Sequence, residues 1–212
     1  MIKKLFIAQC LLIVTFIGCS SDNVELKSIS GPLQIDLNGE KLILEQKLHK
    51  KLDVGEYKVK ITQPYDERFE RYGVQTFQIG KDSHLTLIME TTAVIDKTTH
   101  LMWQDSRDNA ELMRPAKKSM RTKTKESANE YCENLNHLGY NNWRLPRWSE
   151  MRTITNQNNS YKIVQAFNYS KDGVYNTKME TNKLPVYNFT GQQSFSWSGH
   201  EGEYYVRCVR DL

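Results

Sequence analysis

The sequence predicts an α+β fold, with a small N-terminal β-sandwich followed by a C-terminal domain that contains two helices. Apolar residues alternate with period two from residue 31 to about residue 90, which is typical of half-buried strands. Helical spacing of apolar residues begins only after residue 120. Removal of an 18-residue leader from 212 residues leaves 194, enough for two modest hydrophobic cores.

The chain begins with the features of a bacterial export signal. Two lysines precede an apolar run over 5–17 that is too short to span a bilayer stably. Residues 18–20, Gly-Cys-Ser, resemble a lipobox, in which the thiol of Cys19 is lipidated with acyl chains such as palmitate. We therefore predict a lipoprotein signal peptide over 1–18 and a tether over 19–30. An ordinary signal peptide cleaved elsewhere is the alternative.

The N-terminal half reads as a series of short strands. Alternating runs lie near 33–37, 57–61, 77–79 and 85–89, and Asn38-Gly39 supplies the positive-φ pair of a tight hairpin. The stretches LQIDLNGE and LDVGEYKVKI resemble a PEGA-like domain, which implies a surface-associated bacterial β-module over 31–90. This half contains no cluster of titratable residues that suggests chemistry. We interpret it as a spacer or interaction module.

The C-terminal half contains two predicted helices and a last strand. Thr124 is a plausible N-cap of a helix that ends at Gly139 and turns Cys132 inwards. A shorter helix follows Pro146, with Glu150 in its first turn, where the helix dipole favours an acid. Alternation over 203–212 predicts a final strand.

Five motifs of this half stand in the order seen in the Lcl C-terminal domain, which the segment 94–212 resembles. The motifs are VIDKTTHLMWQD (94–105), ANEYCENL (128–135), NNWRLPRWSEM (141–151), SWS (196–198) and VRCVR (206–210). The resemblance implies an exported bacterial module of largely unassigned function with a C-type-lectin-like fold. In that fold a disulfide from the first helix to the last strand recurs. The chain departs from the family at His100 and Arg147, and its segment between Ser198 and Val206 is short.

Two cysteines are left for the folded part of the chain. Cys10 leaves with the signal peptide and Cys19 is assigned to the lipid, so Cys132 and Cys208 remain. In an exported protein two remaining thiols predict one disulfide. Two buried free thiols are the alternative.

The stretch 139–151 is interpreted as a structural corner. We expect its Arg144 to pair with a carboxylate or with backbone carbonyls inside the domain, an anion-binding role being the alternative. The tryptophans are expected mainly to pack in the core or at its rim, although at least one of them could instead line a ligand surface. They are Trp103, Trp143, Trp148 and Trp197.

The sequence gives no support for an enzyme, a metal site or a cofactor. The five histidines show no spacing that would hold zinc. Cys132 and His137 face different directions on a helix, and a disulfide would consume the thiol. The places of the calcium ligands of C-type lectins carry no carboxylates.

Positive charge gives the only indication of a ligand. The segment 114–125 has six basic residues among twelve and no acid. A solvated loop is one interpretation; the other is a patch for an acidic polysaccharide, lipopolysaccharide or an acidic envelope protein. An exported lipoprotein rarely meets nucleic acid, so none is predicted as a partner. The candidate ligand-binding residues are Arg114, Lys117, Lys118, Arg121, Lys123, Lys125 and Trp197.

The combined expectation is an exported, lipid-anchored binding or attachment module of the outer membrane, on its periplasmic face or on the cell surface. An acidic glycan on the cell surface is the predicted ligand. An accessory lipoprotein of a cell-envelope assembly, acting through protein–protein contacts, is the alternative.

Overall fold

A computed structural model describes six stretches of the chain, 23–106, 123–156, 162–170, 173–178, 186–189 and 204–212. The described residues form two compact units. Unit 1 contains residues up to Ile61 together with Gln75–Glu90, and unit 2 contains Thr62–Val74 together with Thr91–Leu212. The two units are described separately below.

Unit 1 is built from strands. They are β1 (Val24–Ser28), β2 (Leu33–Leu37), β3 (Glu40–Leu44), β4 (Lys47–Lys50), most of β5 (Gly55–Pro64), the second half of β6 (Phe69–Ile79) and β7 (Leu85–Met89). One sheet has the order β4-β1-β7, in which β1 is antiparallel to β4 and parallel to β7. In the other, β6, β5, β2 and β3 are neighbours in that order.

Both sheets of unit 1 contribute to one hydrophobic core. Because successive side chains of a strand point to opposite faces, the alternating apolar residues of each strand face inwards together. The core includes Leu26, Leu44, Val59, Ile79 and Met89, all fully buried. The predicted strands β2, β5, β6 and β7 are confirmed.

Two local features of unit 1 bear on the sequence predictions. Asn38 and Gly39 have φ values of 50° and 96°, as the predicted hairpin requires. Strand β1 lies inside the segment 19–30 that was predicted as a tether. The pair Val24 and Leu26 is buried in the core, so this part of the chain is folded into unit 1.

Unit 2 contains the remaining elements. They are the last residues of β5, the first half of β6, β8 (Ala93–Asp96), β9 (Leu101–Gln104), α1 (Lys123–Glu133), α2 (Trp148–Thr153), β10 (Thr155–Asn156), β11 (Lys162–Ile163), β12 (Val174–Asn176), β13 (Val186–Asn188), β14 (Tyr204–Tyr205) and β15 (Val209–Asp211). The largest sheet has the order β15-β9-β8-β6 in this unit. Smaller sheets are formed by β13-β12-β14 and by β10-β11.

Strand β9 is covered on both faces. Trp103 points into a core cluster that includes Met151, Tyr175 and Phe189. Met102, on the opposite face, joins a second cluster that surrounds the cysteines. The two clusters therefore share one central strand.

The predicted α+β, C-type-lectin-like fold class is wrong. The described residues contain fifteen strands and two helices, and the helices have only 11 and 6 residues. Two causes explain the difference. The hairpin residues 62–74 belong to unit 2 and add strands to it, and α1 ends at Glu133 rather than at Gly139. The protein is therefore β-rich.

The ends of two predicted elements also differ. Helix α1 begins at Lys123, so Thr124 lies inside it. After the helix, His137 and Tyr140 exchange two backbone hydrogen bonds of 3.0 Å, and the positive φ of Gly139 belongs to this turn. The predicted last strand over 203–212 is interrupted and forms β14 and β15.

The predicted disulfide is confirmed. Cys132 on α1 and Cys208, immediately before β15, are bonded, with a Cα–Cα distance of 5.5 Å. Both residues are fully buried in the second cluster of unit 2. The bond therefore connects the longer helix to the end of the chain.

Replacement of Cys132 and Cys208 by serine should destabilise unit 2. Loss of a native disulfide costs about 2–5 kcal/mol. All four tryptophans fall in the residue range of unit 2, so the midpoint of urea unfolding followed by tryptophan fluorescence is expected to report this unit. The midpoint should fall in the double variant and match that of the reduced wild-type protein. An unchanged midpoint would contradict the prediction.

Candidate functional site

Most of the predicted ligand-binding residues lie outside the described residues. Arg114, Lys117, Lys118 and Arg121 fall in 107–122, and Trp197 falls in 190–203. Lys123 and Lys125 are on helix α1, but their side chains are not among those described. The predicted lipidation site, Cys19, also lies outside. What the structure provides is the frame on both sides of 107–122.

A buried arginine forms one side of this frame. Arg207 is 1% exposed. Its Nη1 donates to Asp105 Oδ1 at 3.1 Å and to the carbonyl of Gln104 at 2.6 Å. Its Nη2 donates to the carbonyl of Tyr169 at 2.6 Å, and the guanidinium lies 4.5 Å from the ring centroid of Phe167. This guanidinium is therefore buried and paired inside the unit rather than presented to solvent.

The carboxylate of Asp105 also accepts hydrogen bonds from the backbone. The backbone N–H groups of Asn168 and Tyr169 donate to its two carboxylate oxygens at 2.7 and 3.0 Å. A buried ion pair is stable only when such additional hydrogen bonds compensate for lost hydration. The pair of Asp105 and Arg207 therefore fixes the strand end at β9, the chain at 168–169 and the last segment of the chain together.

Both described flanks of 107–122 are attached to adjacent residues. Before the segment, Asp105 is bonded to Arg207. After it, Cys132 of α1 is bonded to Cys208. We call this arrangement the double anchor. Through it, the residues before and after 107–122 are attached to the same two neighbouring residues, Arg207 and Cys208.

Gln104 forms hydrogen bonds to both the last segment and helix α1. Its backbone N–H donates to the carbonyl of Cys208 at 2.9 Å. Its side-chain Nε2 donates to the hydroxyl of Tyr131 on α1 at 2.8 Å. Strand β9 and helix α1 are thus joined directly as well as through the last segment.

Arg144 is paired inside the unit, as predicted. Its Nη1 and Nη2 donate to the two oxygens of Glu150 at 2.8 and 2.9 Å, and Nη2 also donates to Asp211 at 3.0 Å. The hydrogen bonds with Glu150 raise the pKa of Arg144 above its usual range. Glu150 also accepts the backbone N–H of Arg147 at 2.7 Å, which caps α2. The stretch 139–151 is a structural corner.

Three of the four tryptophans serve packing. Trp103 and Trp143 are buried, and Trp148 is partly buried against the ring of Tyr187 with centroids 5.1 Å apart. The indole N–H of Trp143 donates to the carbonyls of His137 and Tyr140 in the turn after α1. The fourth, Trp197, lies outside the described residues.

A second buried carboxylate was missed by the sequence analysis. Arg68 donates to both oxygens of Asp96, which is fully buried, and Asp96 also accepts the backbone N–H groups of Thr98 and Thr99. Burial opposes ionisation of Asp96 and is the largest single effect, but the hydrogen bonds from Arg68 and Thr99, together with the charge of Arg68, lower its pKa on balance. Arg68 lies outside the five motifs, so their pattern gave no signal for this pair.

The described residues contain no group of three or more histidine, cysteine, aspartate or glutamate side chains placed to hold a metal ion. None of their helices has the length and apolar character required to cross a membrane.

The described part of unit 2 is therefore β-rich, and three of its arginines are neutralised by carboxylates of the same unit. The chain belongs to the Lcl C-terminal domain family, whose model matches residues 92–210, more than half of the chain. Membership favours a surface-related or attachment-related module. Neither the curated proteins nor the solved structures include a match to this chain.

Replacement of Asp105 by asparagine should destabilise unit 2, because the charge of Arg207 stays buried without its counterion. Removing one partner of such a pair costs about 3–5 kcal/mol. Urea unfolding followed by tryptophan fluorescence measures the loss. Asp53→Asn, an exposed change in unit 1, is the matched control. Equal midpoints for the two variants would show that the ion pair does not stabilise the unit.

Proposed function

We propose that the protein is an exported binding or attachment module of the cell envelope, anchored by lipid on Cys19 in the outer membrane. Its ligand is an acidic glycan, and the basic segment 114–125 supplies the binding charge. Catalysis is not part of this function. Family membership supports the broader part of the proposal.

The double anchor is the observation that carries the choice of segment. Asp105 and Cys132 stand on the two sides of 107–122, and each is bonded to a fully buried residue of the last segment. Function often resides in loops that a rigid scaffold positions. We therefore place the proposed ligand contacts on the segment between these two attachments.

Charge pairing supports the same choice. Arg68, Arg144 and Arg207 have carboxylate partners inside unit 2. Their positive charge is neutralised by those partners. The segment 114–125 carries six basic residues and no acid, so it is the part of the sequence with the greatest local excess of positive charge.

A protein partner is the second candidate function, and strand β3 favours it. This strand is the last in its sheet order, and Ile43 on it is 68% exposed. An edge strand with an exposed apolar residue can pair with a strand of another protein. In that case the chain is an accessory lipoprotein of an envelope assembly.

Cys19→Ser should move the protein from the membrane to the soluble fraction, because the acyl chains provide the anchor. Detergent-phase partitioning of cell envelopes, with the wild-type protein beside the variant, measures the shift. Recovery of the variant with the outer membrane would mean that another part of the chain holds it there.

Reversal of Lys117, Lys118, Arg121 and Lys123 to glutamate should abolish binding to acidic glycans on an array. Wild-type binding should weaken steeply with salt, since exposed charges are screened over about 8 Å at physiological ionic strength. The matched control reverses four exposed lysines of unit 1 and gives the same net charge. These are Lys41, Lys51, Lys58 and Lys60.

The control variant should bind the array as the wild type does. Equal loss in both variants would indicate that overall charge, not this segment, determines binding. Retained binding in both would exclude the segment as the glycan site. Capture of the same envelope protein by all three proteins, without glycan binding, would favour the second candidate function.

A further inference from the structure

The start of the described chain is fixed to a loop of unit 1. The side chain of Asn23 donates to the carbonyl of Leu52 and accepts the backbone N–H of Leu52, both at 2.8 Å. The carbonyl of Asn23 accepts the backbone N–H of Leu85 at 2.9 Å. The loop 51–54 and the start of β7 therefore lie beside the residue from which the chain runs back to Cys19.

The distance from this point to the proposed anchor is short. Cys19 precedes Asn23 by four residues, and a fully extended chain covers at most about 3.6 Å per residue. The Cα atoms of the two residues are thus no more than about 14 Å apart. If the lipid on Cys19 is inserted in a bilayer, the loop 51–54 is held close to the bilayer surface.

The loop 51–54 contains an exposed aliphatic side chain, that of Val54. Val54 is 65% exposed, while Leu52 is buried in the core. Lys51 and Asp53 are exposed and balance each other, as do Lys81 and Asp82 in the loop that leads to β7. Net charge at this end of unit 1 therefore gives no strong attraction to anionic lipid.

We propose that the loop 51–54 rests on the bilayer, with the side chain of Val54 in the headgroup region. The inference depends on the proposed lipidation of Cys19. A short tether raises the effective concentration of the loop at the surface, so the loop needs little affinity of its own to stay in contact with the bilayer. The contact fixes which end of unit 1 faces the membrane.

Ile29 provides a matched control site. It follows the other end of β1 and is 61% exposed, close to the value for Val54. A strand rises about 3.3 Å per residue, so the six residues from Asn23 to Ile29 separate the two ends by roughly 20 Å. The site has the same chemistry but should point into water.

The test compares nitroxide labels in the Val54→Cys and Ile29→Cys variants of the lipidated protein. The vesicles contain phosphatidylethanolamine with a smaller part of phosphatidylglycerol. The native Cys132 and Cys208 are buried and bonded to each other, so they do not take the label. Power saturation measures the accessibility of each label to oxygen, which concentrates in lipid, and to a water-soluble nickel chelate.

The ratio of oxygen to nickel accessibility should be several-fold higher at position 54 than at position 29. High salt should leave this difference unchanged, because the charges of the loop balance. Equal ratios at the two positions in detergent-phase protein would overturn this inference and leave the anchor intact. Recovery of the wild-type protein in the aqueous phase would overturn the anchor and, with it, the inference.

Discussion

The attachment of two distant parts of the chain to Arg207 and Cys208 is the constraint on which unit 2 depends. Asp105 ends the strand that carries both hydrophobic clusters, and Cys132 lies on the longer helix. Because the two bonds involve neighbouring residues, neither strand β9 nor helix α1 can shift without moving the last segment. The arrangement connects strand β9 and helix α1 to the segment that leads into β15.

The two bonds stabilise the unit by different means. A disulfide acts largely by restricting the unfolded chain, and the separation of 76 residues makes that restriction large. A buried ion pair adds little net stability but is costly to break on one side. It therefore selects one arrangement of β9, the chain at 168–169 and the last segment. The disulfide thus restricts the unfolded chain, and the ion pair favours one arrangement of these three segments in the folded unit.

The arginines of unit 2 show why charge count alone is a poor guide to a binding site. Arg144 and Arg207 lie in two of the motifs and Arg68 lies outside them, and each of the three has a carboxylate partner in the fold. Arg144 also fixes the entry to α2 through Glu150. The positive charge of these three arginines is thus structural, so the number of basic residues does not by itself identify a binding surface.

The sequence predicted the parts of the fold in which local pattern and tertiary structure agree. The alternating strands of unit 1, the corner at 139–151 and the disulfide are of this kind. It failed where a strand is buried on both faces, as in β9, or where strands have only two or three residues. Such segments show no alternation of apolar and polar residues, so the pattern does not identify them as strands. The two helices therefore dominated the predicted fold class.

The site was predictable only in part, for a related reason. Arg207 stands in the motif VRCVR, but its partner Asp105 lies 102 residues earlier in the chain. No local spacing connects the two. The same holds for Arg68 and Asp96, which are 28 residues apart. Pairings of this kind depend on the order of strands in the sheet, which a single sequence does not specify.

The double anchor also allows folding and the proposed binding to be tested separately. Arg207 and Cys208 are fully buried, and they hold strand β9, helix α1 and the chain at 168–169. Removal of one partner of a buried ion pair, or of a native disulfide, costs several kcal/mol. Mutations at Arg207 or Cys208 therefore affect the fold whatever the ligand is. In the proposed function the ligand contacts come from 114–125, so the two sets of variants are expected to separate a loss of folding from a loss of binding.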